Sequence, residues 1–189
     1  LSTDYIGVFP KDVASIASLI RETKDRLLVV SDTAAYGHFS EPARFLDCQR
    51  HLETLCARES SHVEMVVYSS QAIRRANKRQ LDKMMQTPEQ WESFLEDHRF
   101  KRFAHFNPVD ADSMKSDANA FYSALYSMEK RFRSNLHRKG VALWESEAHL
   151  PIYMWISDNQ RAIFCFVVSE EGEDLEYAFE TRDAALIRA

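Results

Sequence analysis

The sequence predicts an α/β fold, with a mixed β-sheet flanked by helices and a helical insertion at about residues 70–139. Three observations support this prediction. Short apolar runs alternate with amphipathic helical segments before residue 70, helical periodicity fills the middle of the chain, and four strand-like segments then follow in close succession. The chain has 189 residues, of which 45% are hydrophobic, which is enough for one full core but few for two. We therefore expect a single domain over residues 1–189.

The first part of the chain has the pattern of a strand–helix–strand unit. A first amphipathic helix is indicated by Val13, Ile16, Ala17, Leu19 and Ile20. The run "RLLVVSD" is typical of a parallel strand that is covered on both faces. A second helix is expected after Ser40, and "HVEMVVYS" is expected to form the next strand. The short connections predict a βαβ unit with a right-handed crossover.

The rest of the chain is predicted to be helical first and then mostly strand. Breaks at Thr87-Pro88 and Asn107-Pro108 divide the helical insertion, and Gly140 suits the position that follows a helix. Four strand candidates come next, namely "VALWESEA", "IYMWISD", "RAIFCFVV" and "LEYAFE". A last helix is expected to begin near Asp183.

Composition argues against several classes of protein. A net charge of −5 disfavours a dedicated nucleic-acid binder, because phosphate neutralisation needs clustered Lys and Arg. The basic run "EKRFRSNLHRKG", with Lys130, Arg131, Arg133 and Arg138, is therefore expected to form a solvated helix face. The three cysteines form no CxxC pair, which favours reduced thiols and a cytoplasmic location. We expect no membrane span, no metal site and no cofactor, because no long apolar run, zinc-ligand spacing or Gly-rich phosphate loop occurs.

The segment from Pro151 to Asp183 resembles one module of the phospholipase D-like superfamily. In that family a histidine begins a strand, a lysine follows two residues later, and an aspartate comes five residues after the lysine. Aligning Asp158 with the family aspartate puts Pro151 at the histidine position and Tyr153 at the lysine position. The strand "RAIFCFVV", the strand in "LEYAFETRD" and the closing helix then follow in the family's order.

The resemblance implies a fold whose chemistry has been lost. In the family the histidine attacks phosphorus and the lysine stabilises charge on the phosphoryl oxygens. Pro151 offers no nucleophile and Tyr153 no fixed positive charge, so we expect a catalytically inactive domain that acts as a sensing or interaction module. The alternatives are an active phosphodiesterase or nuclease with noncanonical residues and a nucleic-acid-binding regulatory domain. Two modules meet in the family, which implies a homodimer here.

A candidate ligand cleft follows from the predicted parallel strands, since open α/β sheets bind ligands at the carboxyl ends of such strands. The first strand would bring Asp32, Tyr36 and His38 to this edge, the second would bring Tyr68, and the resemblance adds Tyr153, Trp155 and Asp158. Aromatic walls with a few polar groups suit a small molecule or a peptide side chain, neutral rather than phosphorylated. In the competing interpretation, Tyr153 and Trp155 fill the core.

Overall fold

The computed structural model describes residues 2–84, 87–148, 150–170 and 173–188. Within these residues the chain forms one seven-stranded mixed sheet with the strand order β1-β7-β6-β5-β2-β3-β4. The strands are β1 (Thr3–Val8), β2 (Arg26–Val30), β3 (His62–Tyr68), β4 (Ala142–Ser146), β5 (Ile152–Ser157), β6 (Arg161–Glu170) and β7 (Glu173–Thr181). The helices are α1 (Val13–Glu22), α2 (Pro42–Cys56), α3 (Ser70–Met84), α4 (Pro88–Glu96), α5 (His98–Phe106), α6 (Pro108–Met114), α7 (Ala118–Arg138) and α8 (Ala184–Arg188).

The predicted mixed α/β class is confirmed, and the sheet changes direction at β2. β2 is parallel to β3, and β3 is parallel to β4. On its other side β2 is antiparallel to β5, and β5, β6 and β7 form an antiparallel meander. β1 was not predicted, because "TDYIGV" is short and carries polar residues and a glycine; it pairs with β7 at the edge of the sheet, with an irregularity between Tyr5 and Gly7.

The main hydrophobic core lies on one face of the sheet. Helices α1, α2 and α7 contribute Leu19, Leu55 and Leu136, and these pack against strand residues such as Leu27 and Trp155. The sequence predicted helices on both faces of the sheet. The opposite face has less helical cover than this prediction implies. The short α8 packs on it, where Ile187 contacts the patch formed by Ile156, Ala162, Leu28, Met154 and Phe164, and α3 packs against Tyr68 at the end of β3. The apolar strand runs are the same in a covered and an uncovered sheet, so the sequence does not distinguish the two.

Between β3 and β4 the described residues form helices only. The region from α4 to α7 has its own small core, built mainly from Phe94, Phe100, Phe103, Met114 and Phe121. Pro88 and Pro108 occupy first-turn positions, and Thr87 forms a capping box with Gln90, which explains why the sequence breaks fall there. No helix in the described ranges is long and apolar enough to cross a bilayer.

Candidate ligand-binding site

The carboxyl ends of β2 and β3 are closed by side chains of α7. Arg133 donates to Glu129 Oε1 at 2.8 Å, to Glu145 Oε1 of β4 at 2.8 Å, and to the Tyr68 carbonyl oxygen at 2.5 Å. The side chains of Arg133 and Glu129 are only 9% and 8% exposed. Removing this ion pair from water costs free energy. The three hydrogen bonds that the guanidinium donates offset that cost.

Glu129 also holds the loop that follows β2. It accepts hydrogen bonds from the Thr33 hydroxyl at 2.5 Å and from the Ala34 N–H at 3.1 Å. We call Thr33, Glu129, Arg133 and Glu145 the edge network. It occupies the sheet edge where the sequence analysis expected a ligand cleft.

Asp32 lies beside this network in an unfavourable environment. Its Oδ1 atom is buried and has no hydrogen-bond partner among the described residues. Burial, together with the negative charge of Glu129, raises the pKa of Asp32 to about 7. Asp32 therefore gains or loses a proton near neutral pH, whereas an exposed aspartate would stay ionised.

Tyr36 belongs to the core rather than to an open cleft. Its ring packs against Trp155, with centroids 4.8 Å apart, and against Tyr153 at 6.1 Å. Its hydroxyl lies 2.5 Å from Glu176 Oε2 and 3.0 Å from Asp12 Oδ2. A hydroxyl has one proton, so it can donate fully to only one of the two carboxylates at a time. Burial raises the pKa of Asp12.

The other predicted site residues do not share one cleft. Tyr153 and Trp155 are 6% and 3% exposed and fill the core, as the competing interpretation expected. Tyr68 is buried against α3, and its hydroxyl accepts the N–H of Leu150 at 2.9 Å. Asp158 lies at the other end of the strands, because β5 runs antiparallel to β2. The predicted grouping of these residues is corrected accordingly.

Asp158 instead organises the amino end of β2. Its carboxylate accepts the backbone N–H groups of Lys24, Asp25 and Arg26 at 2.9, 2.9 and 2.8 Å. Partial burial alone would raise the pKa of Asp158, but these hydrogen bonds outweigh it and lower the pKa below the ordinary value. The role is structural, since all three donors belong to the backbone.

An open cleft of about 430 Å³ lies between α2, α7 and the junction of α5 with α6. We call it the α2–α7 cleft. Its floor includes Phe45, Met128 and Phe132, and its polar lining consists of His38, Gln49, Asn107, Asp110, Arg131, Asn135 and Arg138. Of the seven residues predicted for a cleft, His38 lines this one.

The charges of the α2–α7 cleft favour an anion. Arg131 contacts both carboxylate oxygens of Asp110 at 2.9 Å. Arg138 forms no ion pair with any described carboxylate, and its contact with Asn135 Oδ1 is long, at 3.5 Å. Two guanidiniums and one carboxylate leave one positive charge in the lining.

His38 offers the cleft a neutral imidazole. Its ring packs against Phe45 and Phe103, with centroids 4.7 and 5.6 Å away. Burial lowers the pKa of His38, although a hydrogen bond to Asn107 opposes this shift. A neutral imidazole can donate from one nitrogen and accept at the other.

Sequence reasoning missed most of these residues, although part of the signal was present. Arg131 and Arg138 are seven residues apart and therefore share a helix face, and Glu129 with Arg133 has the spacing of a helical ion pair. The expected solvated face is wrong for Arg133, which is buried because α7 crosses the end of the sheet.

No protein-family model matches the sequence, and no curated protein matches it either. Within the described ranges, no group of three or more His, Cys, Asp or Glu side chains is placed to hold a metal ion. The likeness to the phospholipase D-like superfamily therefore rests on the residues from Pro151 to Asp183 alone.

Proposed function

We propose that this chain is a catalytically inactive phospholipase D-like domain that binds a small anionic molecule in the α2–α7 cleft and acts as a regulatory module. The observation that carries the proposal is the cleft itself: an open cleft of about 430 Å³ that is lined by seven polar and five apolar residues. Its volume is in the range of small-molecule sites.

The lack of phosphodiesterase chemistry is supported by the residues at the family positions. Pro151 cannot act as a nucleophile, and Tyr153 cannot supply a fixed positive charge. Tyr153 is also almost fully buried, at 6% exposure, so a phosphate could not reach its hydroxyl without opening the core.

The choice of an anionic ligand follows from the lining. The Arg138 guanidinium has no described carboxylate partner and can therefore receive a carboxylate or phosphate in a bidentate manner. The neutral His38 and the amides of Gln49 and Asn107 can donate and accept hydrogen bonds to the polar body of a ligand. This differs from the neutral ligand expected from sequence, because the aromatic cleft that suggested it is filled.

The binding part of the proposal is tested by titrating the protein with citrate, succinate, inorganic phosphate and adenosine monophosphate, followed by calorimetry. We expect at least one of them to bind, and Arg138→Ala to weaken that binding by about tenfold or more, since hydrogen bonds to charged groups are the strong ones. The matched control is Arg21→Ala, an exposed arginine on α1 outside the cleft. Binding that Arg138→Ala leaves intact, or no binding at all, would overturn the assignment.

The catalytic part is tested separately with bis-(p-nitrophenyl) phosphate. We expect no turnover above the uncatalysed rate. Turnover that persists through repurification and disappears in Asp158→Asn, a variant expected to remain folded, would instead establish the alternative, an active phosphodiesterase.

A further inference from the structure

A second cavity lies behind the α2–α7 cleft, between α1, α2 and the sheet. Its volume is about 40 Å³, and we call it the inner cavity. Much of its lining belongs to the main hydrophobic core, including Ile16, Val29, Leu52, Met65 and Trp155, each of which is at most 4% exposed. Empty cavities with apolar walls stay dry and accept apolar ligands.

The polar groups in the lining of the inner cavity leave little for water to bind. The Ser31 hydroxyl donates to the Thr33 carbonyl oxygen at 2.6 Å, and the Thr33 hydroxyl donates to Glu129. The Tyr36 hydroxyl lies against two carboxyl groups. An ordered water needs several polar partners, so an apolar group is the better occupant of this space.

The inner cavity and the α2–α7 cleft share part of their lining, namely the side chains of Phe45, Gln49 and Phe132, which we call the shared wall. The rings of Phe45 and Phe132 pack against each other, with centroids 5.0 Å apart. The Gln49 amide group forms no hydrogen bond with any described residue, so rotation of this side chain breaks none. Gln49 is therefore the place where a ligand in the cleft can extend into the inner cavity.

The distance between Arg138 and the shared wall sets the length of such a ligand. Arg138 follows Phe132 by six residues, which corresponds to about 9 Å along α7. The Arg138 side chain leans towards the N-terminus of α7, which shortens the gap. A carbon chain with bonds of about 1.5 Å advances about 1.3 Å per carbon, so about six to eight carbons span the gap and reach the inner cavity. A volume of about 40 Å³ has room for about two of these carbons.

The charge of the cleft favours a monoanion. Arg131 is paired with Asp110, whereas Arg138 has no described carboxylate partner, so the lining keeps one positive charge. A carboxylate carries one negative charge and binds a guanidinium through two parallel hydrogen bonds. A phosphate monoester carries about 1.5 to 2 negative charges at neutral pH, which exceeds the charge of the lining.

We infer that the α2–α7 cleft binds an aliphatic monocarboxylate of about six to eight carbons, with its carboxylate on Arg138 and its tail past Gln49 in the inner cavity. This inference rests on the proposed function and names the class of anion that the cleft takes. The head group makes the charge contacts that a short anion also makes. The tail fills an apolar space that a short anion leaves empty, so chain length determines affinity.

Calorimetric titration of the intact chain with butanoate, hexanoate, octanoate and decanoate tests the inference. Each buried methylene strengthens binding about three- to fourfold, so we expect octanoate to bind at least about tenfold more tightly than butanoate. Decanoate should bind no more tightly than octanoate, because the inner cavity is then full. The heat-capacity change of binding should be more negative for octanoate than for butanoate, since burial of apolar surface has this effect.

Cys48→Leu on α2 fills the inner cavity, because the Cys48 side chain belongs to its lining. This variant should lose at least about tenfold in octanoate affinity and keep its butanoate affinity. Cys56→Leu is the matched control, since it makes the same exchange on the same helix at a residue that lines neither cavity. Val29→Ile adds only one methylene and should weaken octanoate binding about three- to fourfold, which keeps the test decisive if Cys48→Leu folds poorly.

The outcomes separate this inference from the proposed function. Octanoate affinity that neither Cys48→Leu nor Val29→Ile reduces, or that keeps rising to decanoate, would overturn the inference, while binding of succinate or butanoate through Arg138 would leave the proposed function in place. Octanoate binding that Arg138→Ala leaves intact would overturn the anion site and, with it, the placement of the head group. Absence of binding by every carboxylate would overturn both.

Discussion

Asp158 and Asp32 lie at opposite ends of β2, and their carboxylates differ in hydrogen-bond donors and in pKa. At the amino end, the Asp158 carboxylate receives three backbone N–H groups, and its pKa is lowered. At the carboxyl end, Asp32 Oδ1 is buried with no partner among the described residues, and its pKa is raised to about 7.

The difference comes from which donors are left for each carboxylate. The N–H groups of Lys24, Asp25 and Arg26 lie at the start of β2 and converge on Asp158. After β2, the Thr33 hydroxyl and the Ala34 N–H donate to Glu129, a carboxylate that α7 brings to the sheet edge. Asp32 thus lies beside a second negative charge without a donor for its buried oxygen. The pKa of a loop carboxylate therefore depends on the donors and charges that the covering helix brings to it.

The largest expected effect is that of Arg133→Met at the carboxyl end of β2. Removing the guanidinium leaves Glu129 buried beside Asp32 with no positive charge, so we expect the free energy of unfolding to fall by about 3–5 kcal/mol. Urea unfolding measures this loss. The control is Arg131→Met, whose 60% exposed side chain pairs with Asp110 and should cost no more than about 1 kcal/mol. Equal losses in the two variants would contradict the structural role of the edge network.

A smaller effect of opposite sign is expected for Asp32→Asn. The folded-state pKa of Asp32 lies above its unfolded value of 3.8, so the folded protein binds the proton more tightly. The stability that Asp32 contributes is full below about pH 4 and is lost as the pH rises to about 7. The amide cannot ionise, so the variant should be more stable than wild type above neutral pH, by roughly 1–3 kcal/mol.

Unfolding in urea at a series of pH values checks this. The wild type should lose stability relative to Asp32→Asn between about pH 4 and about pH 7, with no further change above. A constant difference across that range would show that Asp32 stays ionised or stays protonated throughout.

The smallest expected effect is that of Asp158→Asn at the amino end of β2. Asparagine tolerates the positive φ of 53° and retains one carbonyl acceptor, so only the charge assistance is lost, about 1 kcal/mol at neutral pH. Because the folded-state pKa of Asp158 is lowered, its contribution is present above the unfolded pKa and lost as the pH falls through the folded value. The two proteins should therefore converge in strong acid.

The neighbouring exposed Asp25 provides the control for this experiment. Asp25→Asn should leave stability unchanged, because only the backbone of Asp25 takes part in the contacts with Asp158. A loss in Asp25→Asn as large as in Asp158→Asn would show that net charge, and not the three hydrogen bonds, is responsible.

The secondary structure could be predicted largely from sequence because its signals are local. Apolar runs between polar turns identified β2 to β7, and prolines and capping residues located the breaks between helices. β1 was missed because its apolar content is low and its partner, β7, is far away in sequence. The antiparallel pairing of β2 with β5 and the partial cover on the second face of the sheet depend on tertiary contacts that no local pattern records.

The candidate site was much harder to predict. His38 was identified because it follows a parallel strand, but the residues that α7 supplies to the cleft lie in a basic run that resembles an ordinary solvated face. The spacing of Glu129 and Arg133 indicates an ion pair and says nothing about burial. Tyr153 and Trp155 were candidates for both cleft and core, and only the packing of α1 and α2 over them decides in favour of the core.

Helix α7 contributes residues both to the edge network and to the α2–α7 cleft. Glu129 and Arg133 close the sheet edge, while Arg131, Asn135 and Arg138 line the α2–α7 cleft. A continuous helix moves as one body, so a ligand that shifts α7 must also change the hydrogen bonds to Thr33 and Glu145. A ligand that favours one position of α7 would therefore link occupancy of the cleft to closure of the edge, and each would alter the other by the same factor. The region between β3 and β4 would thereby connect a surface cleft to the carboxyl ends of β2 and β3.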